Sequence, residues 1–201
     1  GYKYVKQTGG KGQYAETVMR IEPNPGNGFE FVDQIKGGAI PAEYIPSVKK
    51  GIEQTLQRGI LADSPIVDVK VVLIDGSFHA VDSSDRAFQT CASICFKQGF
   101  LKAKPILLEP MMKIEVNTPD DYIGAVTGDL NKRRGRIESM RRHRKGSQKL
   151  NGFVPLKEMF GYATTLRSLS SGRANYSMEF SHYAPLSKDM QEKVLKEHQE
   201  K

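Results

Sequence analysis

Between Met112 and His182 the hydrophobic spacing switches back and forth between a period of two and a period near 3.6, which leaves few folds open. Met112, Ile114 and Val116 alternate as a strand does. Thr118-Pro119-Asp120-Asp121 then supplies a capping hydroxyl, a proline suited to a first helical turn and two carboxylates for the helix dipole. Ile123, Val126, Thr127 and Leu130 share one helical face ahead of a stop at Gly135. Residues 136–143 and 148–154 form two expected strands around the turn Arg144-Lys145-Gly146-Ser147. Leu156, Met159, Phe160, Ala163 and Leu166 mark a second helix, and residues 174–182 a last strand. The order is β-α-β-β-α-β, the split β-α-β arrangement. After Pro185, residues 187–200 place Met190, Val194 and Leu195 at helical spacing behind Ser187 as a cap.

Glu109-Pro110 reads as a boundary, and a different pattern precedes it. Expected strands at residues 2–7 and 14–22 flank Gly9-Gly10-Lys11-Gly12, and a third at 29–35 follows the turn Pro23-Asn24-Pro25-Gly26-Asn27-Gly28. Ile45, Val48, Ile52 and Leu56 form a helical stripe whose start is limited by Pro46 and which stops at Gly59. Val67, Val69, Val71 and Leu73 alternate up to Asp75-Gly76. A second helix opens at Ser83 or Ser84, with Phe88, Cys91, Ala92, Cys95 and Gly99 along its apolar stripe, so both cysteines are expected to be small core residues. The first half thus runs ββ-β-α-β-α, a sheet backed by helices, to about Leu108. A length of 201 residues suits two such domains.

Charge narrows the partner. The net charge is +7, yet between Asn131 and Lys149 nine Lys or Arg stand against Glu138 alone, so the remainder is close to neutral. A cluster this dense repels itself unless a polyanion or solvent screens it, which marks a footprint for RNA, DNA or an acidic membrane surface. Gly9-Gly10-Lys11-Gly12 is a second candidate: glycines let main-chain N–H groups approach phosphate, and Lys11 adds a cation. No apolar run approaches the roughly 20 residues of a membrane span. Two cysteines at i,i+4 complete neither a zinc site nor a disulfide framework, which fits a reducing compartment. The chain opens on Gly1 and not Met and enters a strand at once, as expected of a piece of something longer.

Catalytic patterns are lacking. A mononucleotide loop would need glycine where Val5 stands and Ser or Thr where Gly12 stands. Gly10, Gly12 and Ala15 satisfy a dinucleotide spacing, but a strand follows that loop and not the required helix. The histidines at 79, 143, 182 and 198 are scattered, with no partner at ligand spacing, and no G-x-S-x-G elbow occurs. His79, following Gly76-Ser77-Phe78 in a loop, suits a contact role better than that of a base.

Several segments together resemble one family. Gln7-Thr8-Gly9-Gly10-Lys11-Gly12-Gln13-Tyr14, Gly37-Gly38 with Ile40-Pro41 and Glu43-Tyr44-Ile45-Pro46, and Asp75-Gly76-Ser77-Phe78-His79 with Val81-Asp82-Ser83-Ser84 resemble the fourth domain of bacterial elongation factor G. Gly128-Asp129-Leu130-Asn131 with Arg133-Arg134-Gly135, and Val154-Pro155-Leu156 through Glu158-Met159-Phe160-Gly161-Tyr162-Ala163-Thr164 with Leu166-Arg167-Ser168, resemble its fifth.

The resemblance implies an α+β protein of two domains. An elongated, ribosomal-protein-like β-α-β domain at 1–108 would mimic a tRNA anticodon arm. A ferredoxin-like domain would follow at 109–201, ending in a helix over 186–201. By position, Gln7, Thr8, Gly9, Gly10, Lys11, Gly12, Gln13, Tyr14, Ser77, Phe78 and His79 would form the tip that enters the small-subunit decoding region during translocation. Arg141, Arg142, His143, Arg144, Lys145, Phe160, Gly161, Tyr162 and Arg167 would meet large-subunit ribosomal RNA. The implied partners are the ribosome, with the RNA of both subunits and the tRNA–mRNA duplex, and the remaining domains of the parent factor; a membrane is not among them.

A cytoplasmic monomer is implied, with no catalysis, metal or cofactor of its own. GTP and Mg would belong to the parent GTPase. The sequence departs from the family pattern at Ala15-Glu16, where Gly-His is common, and in a more basic hairpin at Met140-Arg141-Arg142-His143-Arg144-Lys145, as a specialised paralogue would. Two other functions fit parts of the pattern: a ribosomal protection factor of the same superfamily, or a small-molecule enzyme on a ferredoxin-like scaffold.

Overall fold

Residues 1–7 and 9–200 are described by a computed structural model. They group into two compact units, Gly1–Pro105 with Glu192–Lys201, and Ile106–Gln191. The division therefore falls slightly ahead of the expected 108/109, and the residues from Glu192 onward group with the first unit instead of the second. Among the described residues no helix is long and apolar enough to cross a membrane.

In the first unit, β1 (Tyr2–Lys6), β2 (Gln13–Pro23), β3 (Phe29–Asp33) and β4 (Val69–Ser77) form one sheet in the order β1-β2-β4-β3. β3 and β4 are parallel and the other pairs antiparallel. The parallel pair requires a crossover, and helix α1 (Ile45–Arg58) supplies it, entered through a short 3-10 turn at Ala42–Tyr44 and ended by Gly59, as the stripe predicts. Helix α2 (Asp85–Lys102) is capped by Ser84, whose Oγ accepts from the Ala87 N–H at 3.2 Å.

The two helices bury Val48, Ile52, Phe88, Cys91, Ala92 and Phe96 with Ala15, Val71 and Leu73 of the sheet. Each large side chain so buried contributes about 1.5–3 kcal/mol. Gly51 lets them cross closely, since a Cβ there would lie 2.3 Å from the Gln89 carbonyl oxygen. Both cysteines are buried as expected, and burial pushes the Cys91 thiol above its ordinary pKa, which keeps it unreactive.

In the second unit, β5 (Leu108–Pro119), β6 (Arg136–Arg144), β7 (Ser147–Pro155) and β8 (Asn175–Pro185) run antiparallel in the order β6-β7-β5-β8, with α3 (Ile123–Lys132) after β5 and α4 (Tyr162–Leu169) after β7. This is the ferredoxin-like topology the sequence predicts. The core gathers Ile114, Val116, Val126, Leu130, Leu150, Val154, Met159, Tyr162 and Leu166.

Three local expectations are corrected. Pro110 lies inside β5 and not at a boundary: there β5 is paired only with β8, so the missing N–H disrupts no second ladder. Thr118 is no helix cap but a strand residue, 1% exposed, because β5 stays paired with β7 through Pro119 before a 3-10 turn at Asp120–Tyr122 leads into α3. The single helix expected from Leu156 is a 3-10 turn, Leu156–Met159, then a break at Gly161 (φ 75°), then α4. The last helix, α5 (Lys188–Gln199), follows Ser187 as predicted, with Met190, Val194 and Leu195 half-buried.

Candidate nucleic-acid interface

In the first unit, two loops that lie far apart in sequence are tied together at one end of the sheet. The β1–β2 loop carries Gly9, Gly10 and Lys11, all exposed. The loop after β4 carries Phe78, 45% exposed, and His79. Tyr14 joins them: its N–H donates to the Asp82 carbonyl (2.9 Å), and its carbonyl accepts from Ser83 Oγ (2.8 Å). Ser83 Oγ in turn accepts from the His79 N–H at 2.9 Å, and the Ser83 N–H returns to the His79 carbonyl at 2.9 Å. Ser83 is buried and its hydroxyl both donates and accepts, so it acts as the rivet between the loops.

Side chains complete the arrangement. His79 Nδ1 lies 3.3 Å from Asp82 Oδ2, and its ring is 6.1 Å from that of Tyr14. Lys3 Nζ sits 5.2 Å from the centre of the Tyr14 ring. Tyr14 Oη is 2.7 Å from Ser77 Oγ, and Ser77 donates to Glu16. A Cβ at Gly12 would lie 3.0 Å from the Asp82 carboxylate, which would have to shift to admit it, and Gly9 takes φ 48°.

Of the expected tip residues, the structure thus brings Gly12, Tyr14, Ser77 and His79 together, with Gly9, Gly10, Lys11 and Phe78 exposed beside them. Gln7 is exposed, and Gln13 is half-buried, accepting from Tyr4 Oη at 3.1 Å. Thr8 lies outside the described residues. Lys3, Glu16 and the Asp82-Ser83 pair were missed as members of this cluster. Strand alternation alone could have placed Glu16 on the face of Tyr14, but nothing local in the sequence marks Lys3.

In the second unit, part of the basic cluster is paired and part is not. Arg133 pairs with Asp129, Arg134 with Glu109 and Glu158, Arg136 with Glu138, and Lys149 with Glu115. Arg141, Arg142, Arg144 and Lys145, with His143, are exposed along the β6–β7 hairpin and make no ion pair among the described residues. The hairpin thus holds four unpaired cations within five residues, where like charges repel and a polyanion relieves them.

Phe160 and Gly161 are exposed before α4, Phe160 at 81%, and Arg167 is exposed on it. Tyr162 corrects the expectation that it makes a contact: it is 1% exposed, with its ring 5.1 Å from the Arg133 guanidinium carbon and edge-on to Tyr176. Its place in the core follows from the Gly161 break, which rotates α4 relative to a continuous helix from Leu156. Arg133 holds that break, donating to the Glu158 carbonyl and, at 3.1 Å, to Thr165 Oγ1. No group of three His, Cys, Asp or Glu able to hold a metal occurs among the described residues.

Two family models match this chain: "Elongation factor G, domain IV" over residues 1–104 and "Elongation factor G C-terminus" over residues 106–194. Among solved structures, a crystal structure of a protein from Thermus thermophilus is similar at a TM-score of 0.91 and 38% identity, over 100% of this chain. The chain spans 30% of that protein's length.

Proposed function

Since the chain belongs to the elongation factor G family, carrying its domain IV and C-terminal domain, we propose that it is the ribosome-contacting part of a translocation factor. The two-loop tip enters the decoding region of the small subunit as tRNA and mRNA advance. The cationic hairpin and the exposed segment before α4 meet RNA of the large subunit. GTP hydrolysis, with its Mg, resides elsewhere in the longer factor, which works as a monomer in the cytoplasm.

The observation that carries this reading is the riveting of the glycine loop to His79 through Tyr14 and Ser83. A tip poor in side chains fits a crowded RNA groove, and one held by a buried hydroxyl transmits a push instead of folding back. Lys11 and His79 offer donors to phosphate or 2′-hydroxyl groups. The intact Gly9-Gly10-Lys11-Gly12-Gln13 loop supports translocation over ribosomal protection.

The test uses the full-length factor. Lys11→Ala and His79→Ala are each expected to slow single-round translocation by about tenfold, the loss of one charge-assisted contact. Multiple-turnover GTP hydrolysis stays nearly unchanged. Equal loss of both rates would show that the tip has been misplaced.

A further inference from the structure

The hydroxyls beside the tip have a fixed polarity. Ala15 and Thr17 are buried in the core, so Tyr14 and Glu16, alternating with them along β2, lie on the opposite face of the sheet. Glu16 is paired with Ser77 across the β2–β4 ladder, and its Oε2 accepts the Ser77 hydroxyl. A serine hydroxyl has one hydrogen and an ionised carboxylate has none to give, so the Ser77 hydrogen is committed to Glu16. The 2.7 Å contact between Tyr14 Oη and Ser77 Oγ is therefore donated by the tyrosine. The phenol's only hydrogen is used, and what it has left to offer is the lone pairs of its oxygen. Lys3 at 5.2 Å and His79 at 6.1 Å flank the ring, which favours recognition through the oxygen over base stacking.

We infer that Tyr14 is a hydrogen-bond acceptor of the tip, and that Glu16, acting through Ser77, is the positioning residue that keeps it one. The group it selects is a donor on RNA, either a ribose 2′-hydroxyl or the 2-amino group of a guanine in the moving codon–anticodon duplex. Phosphate carries no donor at neutral pH, so this position reads something the glycine loop does not. The inference rests on the ribosomal reading above and adds a chemical preference to it.

The experiment is single-round translocation by the full-length factor on three substrates: an ordinary codon and anticodon, the same pair with 2′-deoxyribose, and the same pair with inosine for guanosine. On the ordinary substrate, Tyr14→Phe and Glu16→Ala each slow translocation by about fivefold, the loss of one hydrogen bond, while Glu16→Gln, whose amide oxygen still accepts from Ser77, keeps the wild-type rate.

The unaltered factor slows by a similar factor on the one substrate that lacks the donor, and Tyr14→Phe slows no further there. Slowing on the 2′-deoxy pair assigns the donor to ribose, and slowing on the inosine pair assigns it to a base. Tyr14→Phe at the wild-type rate overturns the inference, as does a Tyr14→Phe effect undiminished on both altered substrates or a Glu16→Gln as slow as Glu16→Ala. If Lys11→Ala and His79→Ala still slow translocation in those cases, the reading of the tip survives; if they too are neutral, that reading fails with it.

Discussion

Tyr162 places a phenol in the second unit's core, and its hydroxyl finds no partner among the described residues. An unpaired buried hydroxyl costs about 1–3 kcal/mol, whereas the ring's contacts with Tyr176 and Arg133 need no oxygen. Tyr162→Phe is therefore expected to stabilise the protein by about 1 kcal/mol in denaturant unfolding. The same burial, with the Asp129 carboxylate second, pushes the phenol well above its ordinary pKa of 10.0. The unfolded chain consequently releases this proton first. Tyr162 leaves stability unchanged below about pH 10 and lowers it as pH rises further, so Tyr162→Phe should also flatten the alkaline loss of stability. The sequence could not reveal this, because a continuous helical stripe through Leu156, Met159, Phe160, Ala163 and Leu166 leaves Tyr162 off the apolar face until Gly161 breaks the helix.

At the level of elements, the segment between β7 and α4 is held by a residue from another helix's end. Arg133 follows α3 and pairs with Asp129 at 2.8 Å while donating to the Glu158 carbonyl and Thr165. Its side chain is largely buried, so removing it leaves several acceptors unpaired. Arg133→Ala should cost about 2–3 kcal/mol. Amide exchange should quicken across residues 158–165, while the β5–β7 ladder keeps its protection; unchanged exchange there would mean that Gly161 alone sets the break. The same scale explains why the helix–strand order was legible and some bounds were not. Period and cap signals mark the stripe of α1 and the Ser84 cap, but Thr118 carries a cap signal that the long β5–β7 pairing overrides.

For the molecule as a whole, the basic stretch behind the net charge of +7 divides on folding: Arg133, Arg134, Arg136 and Lys149 are paired with carboxylates, while Arg141, Arg142, Arg144 and Lys145 stand exposed side by side on the β6–β7 hairpin. Binding of this chain to ribosomes should therefore weaken steeply with salt. If all four cations meet phosphate, the combined change Arg141→Ala, Arg142→Ala, Arg144→Ala and Lys145→Ala should reduce the slope of log affinity against log salt by about three. Titration of both proteins over a range of KCl concentrations checks this, and parallel lines would assign the footprint elsewhere. The order and type of nearly every element, the burial of both cysteines, the glycine loop and the basic stretch were all readable from the chain alone, because periodicity, caps and charge runs are local properties. Which basic residues remain unpaired, that Tyr162 turns inward, and that Ser83 ties the two loops of the tip together emerged only on folding. Each of those outcomes depends on a partner brought close in three dimensions: a carboxylate across the sheet, a break in a helix, or a carbonyl 69 positions away.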